Sequence, residues 1–387
     1  MQYSFPYIIH IFFILSLASI QLGLPLEEKT RKFFNFIGVI SYVLFYGFRG
    51  FIATDWIIYY EFFKNIHISD ILTFKDTGFE SGFILYTQII KTFSESYIVF
   101  QLINTLTNIF LLHLFFKKYL PIKYYLFGLA VFLVFFGSGL EINLLRNFKA
   151  ILIFLLALPF IENRKPVKYF SIIFIAILFH WSSIVYLPLY FFLHKKISIK
   201  IFLFIFISGS VIYILQIEYI TPLIKMFSTL LPSEMSQKVL AYLNTNMYAK
   251  SYGLTVGFFE RTFTTLLILF YYKKISSNKT NILFINSFLI FIALFLFCSE
   301  TSIILKRVTI NFAFSYWILI PIIIQQVEKN FKPIIALFFA LFFMLKMHLM
   351  MNNILYDYDS FLFGNSKSYN ERYEIYNKEL KNLKKIF

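Results

Sequence analysis

The sequence predicts an all-α fold, a polytopic bundle of membrane-spanning helices, and three observations support this prediction. Of the 387 residues, 59% are hydrophobic and only 14% are charged, whereas a soluble domain carries about 25% charged residues. The mean hydropathy is +0.72. Apolar runs of about 20 residues, the length that crosses a bilayer, recur along the chain. A single large water-soluble core and a disordered chain are therefore both excluded.

Apolar runs follow one another along the whole chain. The first begins at the chain terminus, lacks a positively charged start and continues into another apolar run, so it is predicted to be a span and not a cleaved signal peptide. The runs cover residues 3–24, 33–48, 97–116, 124–140, 143–161, 169–193, 199–217, 257–272, 282–300, 308–326 and 333–351.

Basic residues concentrate in the short linkers between these runs. Lysine and arginine outnumber aspartate and glutamate by 36 to 20, which gives a net charge of +16. By the positive-inside rule the linkers are cytoplasmic, which places the segments 49–96 and 218–256 outside. No basic stripe is interleaved with aromatic residues, so nucleic acid is not predicted as a partner. The clusters include Lys29, Arg31 and Lys32; Lys117, Lys118 and Lys123; and Arg164, Lys165 and Lys168.

Two segments do not fit a simple span. The run 169–193 has basic clusters at both ends but is too short to cross twice, which predicts a short broken helix pair with its break at residues 180–183. The stretch 83–93 is also too short to span and is predicted to be a periplasmic re-entrant or interfacial helix. The total is about 12 crossings in a single membrane domain, residues 1–351. The tail, 352–387, is predicted to form an amphipathic helix on the membrane or on the bundle.

Charged residues at the predicted outer ends of the spans are the candidates for function. Ionisable groups at membrane depth are costly unless they pair or line a wet cavity. Because these residues share one side, they predict a common polar cavity that opens outward, and its arginines suit a phosphate group. The candidates are Arg49, Asp55, Glu80, Glu141, Arg146, His180, Glu260, Arg261, Glu300, Lys306 and Arg307.

Purely structural roles for these residues stay open beside the functional role. Arg49 and Asp55, which flank a turn at Gly50, also fit a snorkelling arginine and a helix-capping aspartate. His180 also fits a hydrogen-bonded core histidine. No P-loop, HExxH or zinc-binding set of cysteine and histidine occurs, and Cys298 is the only cysteine, so no intramolecular disulfide forms. Asp357-Tyr358-Asp359 has the letters of a metal-binding pair but no supporting context.

The segments FRGFIATDWIIYYEFF, GFESGFILYTQIIKTF and LLRNFKAILIFLLALPFIENRKPVKYFSIIFIAILFHWSSIVYLPLYF resemble the EpsG family of Wzy-like polysaccharide polymerases. The resemblance covers about residues 1–200 and continues more weakly to Arg307. Two positions depart from the family pattern: Ala53 stands where a glycine is typical, and Trp181 separates His180 from Ser182. The matching residues are Arg49-Gly50, Thr54-Asp55, Tyr59, Glu80, Arg146 and His180.

The resemblance implies a glycosyltransferase that joins oligosaccharide repeat units carried on undecaprenyl pyrophosphate. Donor and acceptor would both be such lipids, the product would be O-antigen, capsule or exopolysaccharide, and the active site would face the periplasm from the bacterial inner membrane. No cofactor or metal is required, because the lipid diphosphate is already a good leaving group. The proposed substrate-binding residues are Arg49, Tyr59, Arg146, Arg261 and Arg307, and the candidate bases are Asp55, Glu80 and His180.

Other functions remain possible at this stage. A flippase for the lipid-linked oligosaccharide would also have about 12 spans and a basic cavity, but it would carry charges along a whole transport path and repeated halves. Another transferase acting on lipid-linked sugars, or a purely structural role, is also compatible with an apolar bundle. Whether a chain-length regulator binds the protein stays open.

Overall fold

The computed structural model describes residues 2–67, 78–228, 254–300, 307–328, 331–364 and 366–386. Within these ranges the chain is helical and has no β-strand, only an isolated bridge between Arg49 and Ser360. The all-α prediction is therefore confirmed. The chain forms two compact units: unit 1 is Met1–Tyr190 with Ile320–Lys385, and unit 2 is Phe191–Leu319 with the last two residues. Lys306 and most of the predicted outer segment 218–256 lie outside the described residues.

Unit 1 begins with ten helices, several of which are interrupted by tighter or wider turns. Short 3-10 turns lie at Ile122–Tyr124 and Trp181–Tyr186, and a π-helical turn lies at Leu133–Gly137. The helices are α1 (Phe5–Gly23), α2 (Glu28–Tyr42), α3 (Trp56–Asn65), α4 (Ser81–Phe93), α5 (Tyr97–Tyr119), α6 (Tyr125–Phe132), α7 (Ser138–Ile142), α8 (Leu145–Glu162), α9 (Pro166–Phe179) and α10 (Leu189–Phe192).

The core of unit 1 contains the apolar segment Ile122–Ile142, of which 89% is buried. By contrast α1 is only 33% buried, and phenylalanines such as Phe5 and Phe12 are exposed on its outer face. Because exposed apolar side chains are stable against lipid and costly in water, this face is where a bilayer would contact unit 1. Helices α5, α8 and α9 pack side by side around the rest of the core, and α4 packs on α9.

The predicted break at residues 180–183 is confirmed. Helix α9 ends at Phe179, and His180 takes an extended conformation with φ −160° and ψ 125°. A 3-10 helix, Trp181–Tyr186, follows and leads into α10. The change of backbone conformation at His180 lets one apolar run form two short helices.

Unit 2 is built on α11, which packs along α15. Helices α11 and α12 are bent by 91° at the break between them. The helices of this unit, with the last one shared between the two units at Leu319, are α11 (Ile199–Leu215), α12 (Ile220–Ser228), α13 (Val256–Phe270), α14 (Tyr272–Ile275), α15 (Lys279–Phe297) and α16 (Phe314–Gln326). The chain then returns to unit 1 with α17 (Lys332–Met351) and α18 (Tyr369–Ile386).

The predicted number of spans is not confirmed by the described residues. Among the described residues five helices are long and apolar enough to cross a membrane, or up to six if the bent pair α11 and α12 counts as one span. These features make the chain a polytopic membrane protein, but the predicted count of about 12 crossings is not confirmed. Shorter apolar helices, including Pro166–Phe179 and Leu337–Met351, account for part of the difference.

Candidate functional site

The most prominent polar contact at the surface of unit 1 is an ion pair between Glu80 and Arg146. Arg146 Nη1 donates to Glu80 Oε2 at 2.6 Å and to the carbonyl oxygen of Gly78 at 3.1 Å. The guanidinium also stacks on Phe79, with Cζ 4.4 Å from the ring centroid. The side chains of Glu80 and Arg146 are 9% and 23% exposed. The pair is therefore desolvated enough to be strong and open enough to be reached by a ligand.

A close helix contact brings the break at His180 to this ion pair. The backbone N–H of Trp181 donates to Glu80 Oε1 at 3.2 Å, so each oxygen of the Glu80 carboxylate accepts a bond from a different segment. Gly82 makes this approach possible, because a Cβ atom there would lie 2.8 Å from the carbonyl oxygen of Leu178. The start of α4 and the end of α9 thus meet at Glu80.

His180 belongs to a chain of hydrogen bonds that begins on α8. Asn147 Nδ2 donates to Ser182 Oγ at 2.9 Å, and Ser182 Oγ lies 2.7 Å from His180 Nδ1. The backbone N–H of Ser182 also donates to His180 Nδ1, at 3.1 Å. Since Nδ1 acts as an acceptor in these contacts, the ring proton of a neutral His180 is on Nε2. The geometry therefore makes Nε2 a hydrogen-bond donor.

Asn143 fixes the turn that carries Asp55. The Asn143 Oδ1 atom accepts the backbone N–H groups of Thr54 and Asp55 at 3.2 and 3.3 Å, and its Nδ2 donates to the hydroxyl of Tyr356 at 3.2 Å. Thr54 Oγ1 donates to Asp55 Oδ1 at 2.7 Å. Asp55 stands at the start of α3. One asparagine amide, in the short segment between α7 and α8, thus holds this turn three residues before Arg146.

Tyr59 lies on the first turn of α3, close to both the Arg146 guanidinium and the Asp55 carboxylate. Burial raises the pKa of the Tyr59 hydroxyl, the Arg146 guanidinium lowers it, and the Asp55 carboxylate raises it. The structure therefore brings together Asp55, Tyr59, Glu80, Arg146 and His180, held by Asn143, Asn147 and Ser182, and we call this set the Arg146 cluster. It combines one arginine, two carboxylates and a histidine in one place, a composition able to bind an anion and to move a proton.

Arg49 makes its hydrogen bonds in a different, buried network next to the turn that carries Asp55. It is 4% exposed, and its guanidinium donates to the carbonyl oxygens of Tyr46 and Glu141 at 2.5 and 3.0 Å. Glu141 is fully buried, and its Oε1 lies 3.9 Å from Arg49 Nη1. The carboxylate also accepts bonds at 2.6–2.9 Å from Tyr42, Thr105 and Asn108. We call Arg49, Glu141 and the three donors Tyr42, Thr105 and Asn108 the Glu141 network. In this network the Arg49 guanidinium contacts protein groups.

The C-terminal tail passes across the same turn. Gly50 N donates to the carbonyl oxygen of Asp359 at 2.8 Å, Phe361 N to that of Phe48 at 2.9 Å, and Ala53 N to that of Leu355 at 2.7 Å. A Cβ atom on Gly50 would lie 3.1 Å from the Asp359 side chain, so a glycine suits this close approach. Residues 354–361, the tail strap, therefore hold the turn that carries Asp55.

Ion pairs within the tail keep the strap in place. Lys367 Nζ donates to Asp357 Oδ2 at 2.6 Å, and the buried Arg372 lies 3.6 Å from Asp359. Tyr369, on α18, donates to Glu61 at 2.7 Å and packs edge-on against Trp56. The tail thus contains the helix α18, which contacts α3 through Tyr369.

Ala53 occupies the position where the resemblance predicts a glycine, and it has φ +69°, a conformation that favours glycine. We expect Ala53→Gly to change the free energy of unfolding by less than about 1 kcal/mol, because relieved strain offsets the lost burial of one methyl group. Ala53→Val should destabilise by about 1–3 kcal/mol, since a β-branched residue fits this conformation poorly. Thermal unfolding of both variants in detergent checks this. Equal midpoints for the two would contradict it.

The remaining predicted residues lie in unit 2. The Arg261 guanidinium stacks on Phe295, with Cζ 4.0 Å from the ring centroid. Arg307 is exposed, and its carbonyl oxygen accepts a bond from Asn311 at 2.9 Å. Glu300 accepts three backbone N–H groups at the start of α12, at 2.7–2.9 Å. Burial raises the pKa of the Glu300 carboxyl, but these hydrogen bonds outweigh burial, and the net shift is downward.

Sequence reasoning missed the residues that organise the site. Asn143, Asn147 and Ser182 were not predicted, although each lies within three residues of a predicted one. Glu141 was a candidate without a role, and the tail was assigned no chemistry. Among the described residues no three His, Cys, Asp or Glu side chains lie together in a way that could hold a metal ion.

Comparison with known proteins gives one match. The family model described as the EpsG family matches residues 32–364, which is most of the chain. The matched range includes every residue of the Arg146 cluster and the tail strap. A search of curated proteins and a search of solved structures found no match.

Proposed function

Because this chain belongs to the EpsG family, a Wzy-like polymerase-type family, we propose that it joins lipid-linked oligosaccharide repeat units into a longer polysaccharide. In this proposal both substrates are carried on undecaprenyl pyrophosphate, and the product is O-antigen, capsule or exopolysaccharide. The reaction takes place at the periplasmic face of the bacterial inner membrane. The observation that supports the proposal most is the Arg146 cluster, where an arginine, two carboxylates and a histidine meet at a helix break.

The donor diphosphate binds at Arg146 in this proposal. Arg146 is the cluster's arginine, it is partly exposed, and its planar fork can hold two phosphate oxygens at once. Glu80 neutralises the guanidinium and holds it in position before the lipid arrives. His180, with its proton on Nε2, donates to another oxygen of the same diphosphate. Arg261 and Arg307 remain proposed substrate-binding residues, and Arg49 supports the site from the Glu141 network.

The transfer step replaces the bond between the donor sugar and the diphosphate with a new glycosidic bond, and one proton passes from the acceptor hydroxyl to a base. The acceptor hydroxyl gives up its proton to a base, its oxygen attacks the anomeric carbon of the donor sugar, and the bond from that carbon to the diphosphate oxygen breaks. The electron pair leaves with the lipid diphosphate, whose added charge is stabilised by Arg146 and His180. No further cofactor takes part in this scheme.

We propose Asp55 as the base among the three candidates. Both oxygens of Glu80 already accept bonds, from Arg146 and from Trp181. His180 accepts at Nδ1 and therefore presents a donor at Nε2. Asp55 is partly exposed and lies at the start of α3, where an acceptor hydroxyl can reach its carboxylate, and the buried Tyr59 lies beside it.

The direct test is polymerisation by the purified full-length protein. Detergent-purified protein is incubated with lipid-linked repeat units, and the products are separated by size. We expect a ladder of dimers and longer chains, and Asp55→Asn should reduce it by about 10²–10⁴-fold because the base is lost. Lys165→Ala, an exposed change in the linker before α9, is the control that should leave the ladder unchanged.

A flippase would give the opposite result in the same assay. It would produce no ladder in detergent, because it forms no glycosidic bond, and it would instead move a fluorescent lipid-linked oligosaccharide across a vesicle membrane. A wild-type protein that moves the lipid but never lengthens the sugar would overturn the proposed polymerase.

A further inference from the structure

A cavity lies at the far end of α5 from the Arg146 cluster. It has a volume of about 520 Å³ and is enclosed by α2, the last turns of α5 and the segment Ile122–Tyr125. Near the start of α5, Gln101 donates to the carbonyl oxygen of Arg49. His113 and Lys117, which line the cavity, are further along the same helix by about 18 and 24 Å, at 1.5 Å per residue. The cavity is therefore separate from the proposed active site.

The polar side of the cavity carries an excess of positive charge. Lys32 pairs with Glu28 at 2.6 Å, and both line the cavity. Lys117 has no carboxylate partner in the part of the chain that the structure describes, whereas its neighbour Lys118 lies 4.0 Å from Glu162. His113 Nδ1 lies 3.1 Å from the hydroxyl of Tyr125. One lysine charge is thus left without a counter-ion at the cavity.

The other side of the cavity is apolar and faces outward. Phe36 and Val39 line it from α2, and Leu120 and Ile122 line it from the segment that follows α5. Phe36 is 59% exposed, and Phe33, on the preceding turn, is 58% exposed. Side chains this apolar and this open are stable only against lipid or protein. A cation beside an apolar wall at a helix end matches a phospholipid, with an anionic head and two acyl chains.

We propose that this cavity binds one anionic phospholipid of the bilayer, with its phosphate facing Lys32 and Lys117 and an acyl chain along Phe36 and Val39. Both lysines belong to linkers that the positive-inside rule makes cytoplasmic, where anionic headgroups attract basic residues. The occupant would brace α2 against α5. Because α2 leads into the Arg49 turn, such a lipid would support the site from the opposite side of the bilayer.

Native mass spectrometry of the detergent-purified full chain tests this proposal. The probes are phosphatidylglycerol and phosphatidylcholine with identical acyl chains. We expect one phosphatidylglycerol per chain, bound more tightly than phosphatidylcholine. Lys117→Ala should weaken its binding about fivefold, the effect of one lysine near an anionic headgroup. Lys118→Ala is the matched control, because this residue is adjacent, equally charged and absent from the cavity lining.

Three results would overturn the proposal. Equal binding of the two lipids would remove the role of the anionic head. Equal weakening by Lys117→Ala and Lys118→Ala would show binding to the general positive surface and not to the cavity. Displacement of the lipid by inorganic phosphate alone would show that the site takes a soluble anion and needs no acyl chain. Neither lysine belongs to the Arg146 cluster, so this test is independent of the polymerase assay.

Discussion

Replacing Arg146 with alanine is expected to abolish long polymer while the protein stays in the membrane at its normal level. The change removes the cation that faces the donor diphosphate and leaves the Glu80 carboxylate without its 2.6 Å partner. Loss of one preorganised charge contact in a site of this kind costs about 10²–10³ in rate. Gel analysis of chain length in cells that carry the variant, together with a blot for the protein, measures both effects.

Companion variants separate binding of the diphosphate from support of the fold. Arg146→Lys keeps the charge but not the planar fork, so we expect polymer to be shortened and reduced. Glu80→Gln keeps the size of the side chain but removes its charge, so the ion pair with Arg146 is lost. We expect an amount of polymer between those of the wild type and Arg146→Ala. Lys29→Ala, which removes an exposed lysine at the start of α2, is the control for general loss of a cation. Normal laddering by Arg146→Ala would remove Arg146 from the site.

Replacing Glu141 with alanine should cause the largest loss of stability, about 3–5 kcal/mol. The substitution leaves the Arg49 guanidinium buried without a counter-charge and deprives Tyr42, Thr105 and Asn108 of their shared acceptor. Each orphaned buried donor adds its own desolvation cost. A lower midpoint of thermal unfolding in detergent, and less folded protein on size-exclusion chromatography, are the expected results.

A double variant distinguishes support of the fold from contact with substrate. Arg49→Met combined with Glu141→Leu removes both buried charges and fills similar volume, so no buried charge is left uncompensated, and the remaining cost is that of the orphaned Tyr42, Thr105 and Asn108 donors. If the Glu141 network only supports the turn, the double variant recovers both stability and polymer relative to Glu141→Ala. A stable but inactive double variant would indicate that Arg49 itself contacts the diphosphate. A single Glu141→Ala variant as stable as the wild type would contradict the account of this network.

The break at His180 could be predicted because it depends on charges that the sequence displays. Basic clusters flank one apolar run at both ends, and a run of that length cannot turn back without interrupting its helix. The all-α class follows from composition and run length in the same way. The position of Glu80 beside His180 could not be predicted, because it depends on how closely α4 approaches α9 at Gly82.

The pairing of Arg49 with Glu141 was within reach of sequence reasoning. A carboxylate inside an otherwise apolar run requires a buried partner, and Arg49 was available, but 92 residues separate the two. The tail strap was harder to predict. Its contacts with Gly50 and Ala53 are made by backbone groups, which leave no residue pattern, and the paired aspartates Asp357 and Asp359 bind Lys367 and Arg372 of the same tail.

Photo-crosslinking of the donor lipid tests the central claim, that the Arg146 cluster holds the diphosphate, most directly. A polyprenyl diphosphate with a photoactivatable group beside the diphosphate is irradiated with the purified full-length protein, and labelled peptides are mapped by mass spectrometry. The account predicts label within residues 78–83, 143–147 or 179–183, which unlabelled lipid competes away and Arg146→Ala reduces. Label confined to other segments, such as the walls of the cavity at Lys117, would contradict it.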